Sequence, residues 1–511
     1  MERTTETPKT TADSNTATNE NSAAMPPFPH DLVDLRNTCD KDQRTCQLGS
    51  GPPGRCLLAQ VESAETAHRI GYKLQGDPMY LQVSPLNISR LEKTIDHDSL
   101  LAETVKPIKI LNALAWPPEA EVSFLEAWRA GRPELPDVRL EPRDYSSEIT
   151  VLEDLQFRCD SSHPLDNLIF KTARSYASAA RMLGAIGTSA FTTHSIELYG
   201  KPDDTYKVQD FTALDAADFF LEKTDELLGS YVVPPTTADI PVETFAERLQ
   251  QAIDDFFTED KVEVVIDPKL ASKAIAGSKR IRLRAGARYS ELDLDQLLEH
   301  EAHIHSATML NGKRQKNLRL LSLGSPRTTR TQEGIAVLAE LMTLSLDIVR
   351  LRRIALRVKA IAMALDGADF IEIFRSFLEA GQTETESYQS TVRCFRGGDV
   401  RGNAVFTKDT VYLKGLLEVY VFISICIREN RPEFSSNLFA GRLSLGDVVE
   451  LAPYFETGFI DGPHYIPRWA RDLRTLASAF ACNAFFTRVD LSHVKLENII
   501  RLEEAVATGN T

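Results

Sequence analysis

Two short stretches decide the interpretation of this chain: HEAHIH at residues 300–305 and TQEGIA at residues 331–336. Three of the ten histidines fall in the first stretch, and a glutamate directly follows the first of them. Imidazole and carboxylate groups bind zinc, and a catalytic zinc has three protein ligands and one water. A glutamate next to the first ligand can act as general base toward that water. The pattern therefore predicts a zinc hydrolase whose ligands come from both stretches.

The spacing of the histidines leaves the ligand pair open. On a regular helix His305 lies about 140° around the axis from His300, too far for both to bind one metal ion. One extra residue accommodated as a π-bulge would bring the two onto one face, and such bulges are frequent at functional sites. His303 lies about 60° from His300 and needs no bulge. Two of the three histidines are therefore expected to be ligands, and the spacing does not decide which two.

The sequence before residue 300 predicts strands that lead into a helix. Residues 262–266 (VEVVI) and 280–284 (RIRLR) are typical of short strands. Ser290 or Asp293 can cap the next helix, in which leucines at 294, 297 and 298 form an apolar stripe. Strands, a metal-binding helix and a second helix that brings a carboxylate are the parts of many zinc peptidases. The alternative is a chance motif match on a solvated, histidine-rich helix face.

Further blocks of the sequence resemble a known family, the domain of unknown function with a QEGLA motif. Its animal members include the microtubule-associated tyrosine carboxypeptidases. The two stretches above are similar to the HExxxH and (T/Q)EGLA motifs of that family. Three other blocks are similar and occur in the family's order: residues 114–118 (LAWPP), 128–136 (WRAGRPELP) and 406–415 (FTKDTVYLKG). The resemblance covers roughly residues 100 to 480.

This resemblance implies which residues bind the metal. In the family the HExxxH histidines and the glutamate of EGLA bind zinc, and the glutamate after the first histidine is catalytic. In this sequence the implied ligands are His300, His305 and Glu333. Glu301 is the implied general base, and His303 is left out. Two positions differ from the family: relatives often have a glycine near the bulge, where residues 302–304 have none, and Ile335 replaces a leucine.

The composition is that of an acidic globular protein. Of 511 residues, 43% are hydrophobic and 26% are charged, and the net charge is −15. Without a basic face, nucleic acid is not expected as a partner. The seven cysteines are scattered, and no signal peptide pattern is present, so a cytoplasmic location is expected. The most apolar run, residues 416–427, is too short to span a membrane and predicts a buried helix.

The predicted fold class is α+β and mostly helical, with a zincin-like small sheet beside the HExxxH helix and helical lobes on both sides. Residues 1–28 are predicted to be a disordered tail, because their composition is polar. A poorly defined segment and linker follows over residues 29–100, and residues 499–511 form a second tail. A single metallopeptidase-like region covers residues 101–498. Its predicted parts are a helical lobe at 101–230, a strand and zinc-motif lobe at 236–346 and a C-terminal helical lobe at 347–498.

Five polar residues outside the ligand set are candidates for substrate binding. Arg327 and Arg330 belong to a group of cations between the two motifs, and arginine is suited to binding a substrate carboxylate. Lys408 and Tyr412 share one face of an otherwise apolar helix, as a structural network or as part of the site. His464 is a candidate donor to the oxyanion, although a structural loop histidine is the simpler interpretation.

The predicted function is a zinc-dependent metallopeptidase of carboxypeptidase type, with one zinc per chain and a peptide or protein C-terminus as substrate. The alternatives are a non-catalytic regulator that retains a metal site and a zinc amidohydrolase with a non-peptide substrate. Glu340 lies two turns after Glu333 and could be a partner of a ligand histidine, but a surface glutamate is the simpler interpretation.

Overall fold

The computed structural model describes residues 88–205, 211–230, 238–268, 270 and 272–488. The predicted tails, residues 1–28 and 499–511, lie outside this part of the chain. So do residues 29–87 of the predicted linker segment and the lobe boundary predicted between residues 231 and 235.

The first described segment is helical. Its helices are α1 (Ile88–Thr104), α2 (Ile110–Ala113), α3 (Pro118–Arg129), α4 (Ser146–Arg158), α5 (Pro164–Gly184), α6 (Ser189–Tyr199) and α7 (Ala213–Ser230). The boundary predicted at residue 100 falls inside α1. Leu91 and Leu101 of α1, on either side of that boundary, are both buried in the main core. The compact body therefore begins before residue 100.

Two small sheets follow. Their strands are β1 (Ile240–Pro241), β2 (Glu263–Asp267), β3 (Ala274–Ala276), β4 (Arg280–Arg284) and β5 (Arg288–Tyr289), with helix α8 (Val242–Phe256) between β1 and β2. β1 pairs with β5. The larger sheet has the order β2-β4-β3, with β2 parallel and β3 antiparallel to the central strand β4. The strands predicted from residues 262–266 and 280–284 are confirmed, and β3 is an edge strand.

The helix that carries the first motif has three parts. Helix α9 (Glu291–Leu297) continues into a π-helix (Leu298–Ser306) and then into α10 (Ala307–Arg314). Ser290 caps α9 through its side chain, which accepts a hydrogen bond from the backbone N–H of Asp293, and the Asp293 carboxylate accepts one from the backbone N–H of Ser290. The predicted cap is confirmed, and it fixes where this helix leaves the sheet.

The rest of the described chain is helical. It contains a 3₁₀ turn (Arg319–Ser322), α11 (Pro326–Met342), α12 (Ile348–Leu365), α13 (Phe370–Glu379), α14 (Glu384–Phe395), a 3₁₀ turn (Thr407–Asp409), α15 (Thr410–Arg428), α16 (Pro432–Asn437), α17 (Leu445–Glu450), α18 (Ala452–Glu456), α19 (Arg468–Arg471) and α20 (Leu473–Phe486). The described part of the chain is therefore mostly helical with small sheets, as the α+β prediction expects.

The two predicted helical lobes share one hydrophobic core. The main core contains Leu168 of α5, from the first lobe, together with Leu338 of α11 and Leu413 of α15. A second core lies between α8, the sheets and the helix of the first motif, and it includes Phe245 and Ile281. The sheet layer therefore has a core of its own, whereas the helices before and after it in sequence pack together.

Helices α11 and α15 touch backbone to backbone. A Cβ atom placed on Gly334 would lie 2.3 Å from the carbonyl oxygen of Gly415, closer than real Cβ contacts. Only glycine permits this approach. The contact is adjacent in sequence to Glu333, so the crossing of the two helices fixes the depth at which Glu333 enters the site.

One helix in the described part of the chain, Thr407–Arg428, is long and apolar enough to cross a membrane. Half of the most apolar 18-residue segment of this helix is buried within the fold. Leu413, Val419 and Ile423 belong to the main core. That burial is typical of a core helix. The buried helix predicted from residues 416–427 is therefore confirmed, and it is longer than the apolar run.

Candidate metal centre

The histidines of the first motif lie on the π-helix. In a π-helix the backbone bonds run from i to i+5, so residues five apart come onto one face. The rings of His300 and His305 have centroids 4.8 Å apart and are nearly perpendicular, at 88°. The predicted bulge is confirmed, and it forms although residues 302–304 contain no glycine.

Glu333 of α11 completes a group of three possible metal ligands. Its Oε2 atom lies 3.4 Å from Nε2 of His300 and 3.5 Å from Nε2 of His305. Metal–ligand bonds of about 2.0–2.2 Å in a tetrahedron give ligand–ligand distances of roughly 3.3–3.6 Å. Oε2 of Glu333 is also buried without a hydrogen-bond partner. The three residues therefore fit a metal ion, and in the described part of the chain they are the one such group found.

His303 is not part of this group. Its Nδ1 atom lies 3.2 Å from a carboxylate oxygen of Glu299, and its ring lies 4.2 Å from that of Phe256 in α8. The side chain is thus directed toward the second core. Of the two alternatives that the spacing left open, the structure brings His305 to His300 and Glu333.

Glu340 contacts the second ring nitrogen of His300, Nδ1. Its side chain is fully buried, and its Oε1 atom lies 2.6 Å from Nδ1 of His300. Arg350 of α12 donates to both carboxylate oxygens of Glu340. Glu340 is therefore not a surface glutamate, and the simpler interpretation of the sequence was wrong. A carboxylate on the second ring nitrogen fixes the orientation of a ligand histidine and increases its basicity.

Charge pairing controls the protonation of these groups in the metal-free chain. Burial lowers the pKa of His300, but the adjacent carboxylates of Glu333 and Glu340 outweigh it and raise that pKa to about 10. Burial raises the pKa of Glu333, yet Lys408 and the two histidines hold it well below its usual range. A metal ion that binds here must therefore displace a proton from His300.

Lys408 is directed at the ligand group from the 3₁₀ turn that precedes α15. Its Nζ atom donates to Oε1 of Glu333 at 2.9 Å, and the Tyr412 hydroxyl lies 3.5 Å from the same nitrogen. Lys408 therefore occupies one oxygen of Glu333 and leaves Oε2 facing the histidines. Of the five substrate-binding candidates, the structure brings Lys408 and Tyr412 to the centre.

The other three candidates have partners elsewhere. Arg327 donates to Asp447 at 2.5 Å, and Arg330 lies 3.3 Å from Glu418. The ring of His464 lies 3.4 Å from a carboxylate in the segment after α8, and its backbone N–H donates to an asparagine of α10. Arg327 and Arg330 lie near the motifs in sequence, but each is paired with a carboxylate of another helix, and the contacts of His464 are those of a structural loop histidine.

Glu301 is next to His300 but outside the ligand group. Its Oε2 atom accepts a hydrogen bond from the backbone N–H of Ala276, at 2.8 Å, in the edge strand β3. The Ser306 hydroxyl donates to the carbonyl of Gly277, the residue after this strand, at 3.0 Å and so connects the C-terminal end of the π-helix to the same segment. Glu301 is thus a carboxylate held by the edge strand, with Oε1 free of hydrogen bonds among the described residues.

Arg442 is a further residue beside the centre. Its Nη2 atom lies 3.5 Å from the backbone carbonyl of His305. Burial lowers the pKa of Arg442, and Glu333 and Glu301 are the two carboxylates whose charges act on it. Arg442 lies more than a hundred residues after both motifs in a segment without a motif of its own, so no signal in the sequence indicated it.

Comparison with known proteins agrees with these observations. A model of the family described as microtubule-associated tyrosine carboxypeptidase matches residues 124–488. The chain belongs to that family. The match confirms the resemblance seen in the motifs, and it includes the sheets, the π-helix and every residue placed at the centre. The microtubule-associated tyrosine carboxypeptidase family is by its description a family of carboxypeptidases. No curated protein matched the sequence.

Proposed function

We propose that this protein is a zinc-dependent metallocarboxypeptidase that hydrolyses the C-terminal peptide bond of a peptide or protein. The observation that carries the proposal is the group of His300, His305 and Glu333, whose distances suit a tetrahedral ion. Membership of a carboxypeptidase family supports the reaction type.

The number of ligands favours a catalytic over a structural ion. Structural zinc sites have four protein ligands, whereas catalytic sites have three and keep one position for water or substrate. The described residues offer three ligands here. Zinc is favoured over magnesium or calcium because two of the three ligands are imidazoles.

In this proposal each residue of the centre has a defined task. When bound, zinc polarises the scissile carbonyl and lowers the pKa of water to about 7. Glu301 accepts a proton from the attacking water at Oε1 and returns it to the leaving amine. Glu340 holds the Nδ1–H of His300, so Nε2 presents its lone pair to the ligand group. Lys408 keeps Glu333 ionised and fixed.

Metal analysis combined with a peptide screen tests the proposal. The purified chain should contain close to one zinc, and it should release single residues from the C-terminus of peptides that differ in their last residue. A chelator should abolish the release, and added zinc should restore it. Products cut within the peptides would contradict the carboxypeptidase assignment. A fully zinc-loaded protein that releases nothing across all twenty last residues would contradict a peptidase and favour a non-catalytic regulator.

A further inference from the structure

Arg442 is held rigidly next to the candidate metal centre. It lies in the loop between α16 and α17, and its backbone N–H donates to the carbonyl of Leu321 at 2.7 Å. The preceding residue, Gly441, packs so closely that a Cβ atom there would lie 2.8 Å from the same carbonyl oxygen. The side chain of Asn311 in α10 donates to the carbonyl of Phe439 in this loop. The backbone position of Arg442 is therefore fixed by α10 and by the 3₁₀ turn that follows it.

The guanidinium group is directed at the centre. Its Nη2 atom contacts the backbone of His305, one of the three ligands. The carboxylates whose charges act on Arg442 are Glu333, the third ligand, and Glu301, the proposed base. The cation therefore lies within electrostatic range of the ligand group.

Arg442 forms no ion pair with the described residues. Three other arginines of this region do: Arg350 pairs with Glu340, Arg327 with Asp447 and Arg393 with Asp409. The Nε atom of Arg442 is buried without a hydrogen-bond partner. A partly buried charge without a counter-ion is costly, and a bound anion removes that cost.

We propose that Arg442 binds the α-carboxylate of the substrate's last residue, which rests on the proposed function. The carboxylate of the last residue lies about one residue, roughly 3.3–3.6 Å of extended chain, beyond the scissile peptide. Arg442 contacts the backbone of the ligand residue His305, so it is close enough to the centre to bind that carboxylate. The planar fork of arginine matches a carboxylate with two parallel hydrogen bonds. Arg442, rather than Arg327 or Arg330, then restricts hydrolysis to the C-terminus.

Binding measurements in a Glu301→Gln background test this without turnover. The probe is a fluorescent peptide with a free C-terminal carboxylate, compared with the same peptide as its C-terminal amide. The zinc-loaded Glu301→Gln protein should bind the free acid about 10- to 100-fold more tightly, as expected for hydrogen bonds to a charged group. Adding Arg442→Gln should abolish that preference, and adding Arg442→Lys should restore part of it.

Arg352→Gln is the matched control. Arg352 is a partly buried arginine of α12 that pairs with Asp225 of α7. In the same background this variant should keep the full preference for the free acid. Zinc content and melting temperature of each variant show that a lost preference is not a lost fold, and Arg442→Lys serves if Arg442→Gln does not fold.

The outcomes distinguish the proposed role of Arg442 from the proposed peptidase function. Retained preference for the free acid in Arg442→Gln overturns the role of Arg442. So does a fall in kcat with the preference intact, which would indicate a contact with the oxyanion instead. A wild-type protein that cleaves nothing, while its Glu301→Gln form still prefers the free acid through Arg442, supports this site and refutes the peptidase. Peptide cleavage that does not depend on Arg442 would support the peptidase and refute the role of Arg442.

Discussion

Replacing Gly334 by alanine tests how α11 presents Glu333. The new Cβ atom would lie 2.3 Å from the carbonyl oxygen of Gly415, whereas real Cβ atoms essentially never come closer than 3.0 Å. The helices must therefore separate by at least about 0.7 Å (3.0 − 2.3). The atoms in the way are backbone, so no side-chain rotation can relieve the contact.

The expected loss follows from these distances. Overpacking costs about 1–3 kcal/mol, and a backbone neighbour places this site at the upper end of that range. Alanine regains about 1 kcal/mol in helix propensity. The net loss of unfolding free energy should be about 2 kcal/mol. Metal sites tolerate ligand displacements of about 0.2 Å. A shift of Glu333 with its helix should therefore weaken metal binding at least about tenfold, comparable to the loss of an outer-shell partner.

Thermal unfolding and metal titration measure both effects, with Gly446→Ala as the control. A Cβ atom on Gly446 in α17 would meet nothing within 4 Å. That variant should be as stable as the wild type or more stable by about 0.4–1 kcal/mol. If Gly334→Ala melts like Gly446→Ala and keeps full metal affinity, the close contact of α11 and α15 is wrong.

Three further predictions concern the ligands, their support and pH. His305→Ala should lose the metal and His303→Ala should retain it, as measured by metal content after dialysis, because His303 faces Glu299. Glu340→Gln should weaken metal binding about 10- to 100-fold in a competition titration, because His300 loses its charged partner. Burial raises the pKa of Asp98 to about 6. Its contribution to stability is therefore full below about pH 4 and lost as pH rises through 6. The wild type's advantage over Asp98→Asn in unfolding free energy should accordingly be larger at pH 4 than at pH 7, and an equal advantage at both would refute the burial of Asp98.

Much of the centre followed from local sequence. The five-residue spacing of His300 and His305 requires a π-bulge if both bind one ion, and the π-helix is present. The cap at Ser290 and the strands before it were predicted from residue types that favour those positions. These features depend on neighbours close in sequence, which is why the sequence was sufficient.

The features that sequence analysis missed depend on contacts between distant segments. Helix α11 is buried on nearly all sides, so its residue pattern did not separate Glu340 from the surface. Arg350 and Lys408, which complete the ion pairs of Glu340 and Glu333, come from α12 and from the 3₁₀ turn before α15. The shared core of the two predicted helical lobes has the same cause. Pairing between segments is decided by tertiary packing, which residue spacing does not encode.

The partners of the arginines show this most clearly. Arg327 and Arg330 were predicted to bind substrate because they lie between the motifs in sequence, yet each has a carboxylate partner in the fold. Arg442 attracted no attention in the sequence and lacks such a partner among the described residues. Whether a cation is available to a substrate depends on its neighbours in space.

The Glu301→Gln variant separates the proposed general base from the metal ligands when it is assayed for zinc content, melting temperature and peptide hydrolysis. Glutamine keeps an oxygen that can accept the hydrogen bond from Ala276, and no ligand is changed. If Glu301 is the base, this variant should retain full zinc and unchanged melting, and its rate should fall by about 10²–10⁴. Loss of zinc or of the fold would show that Glu301 is structural, and an unchanged rate would show that it is not the base.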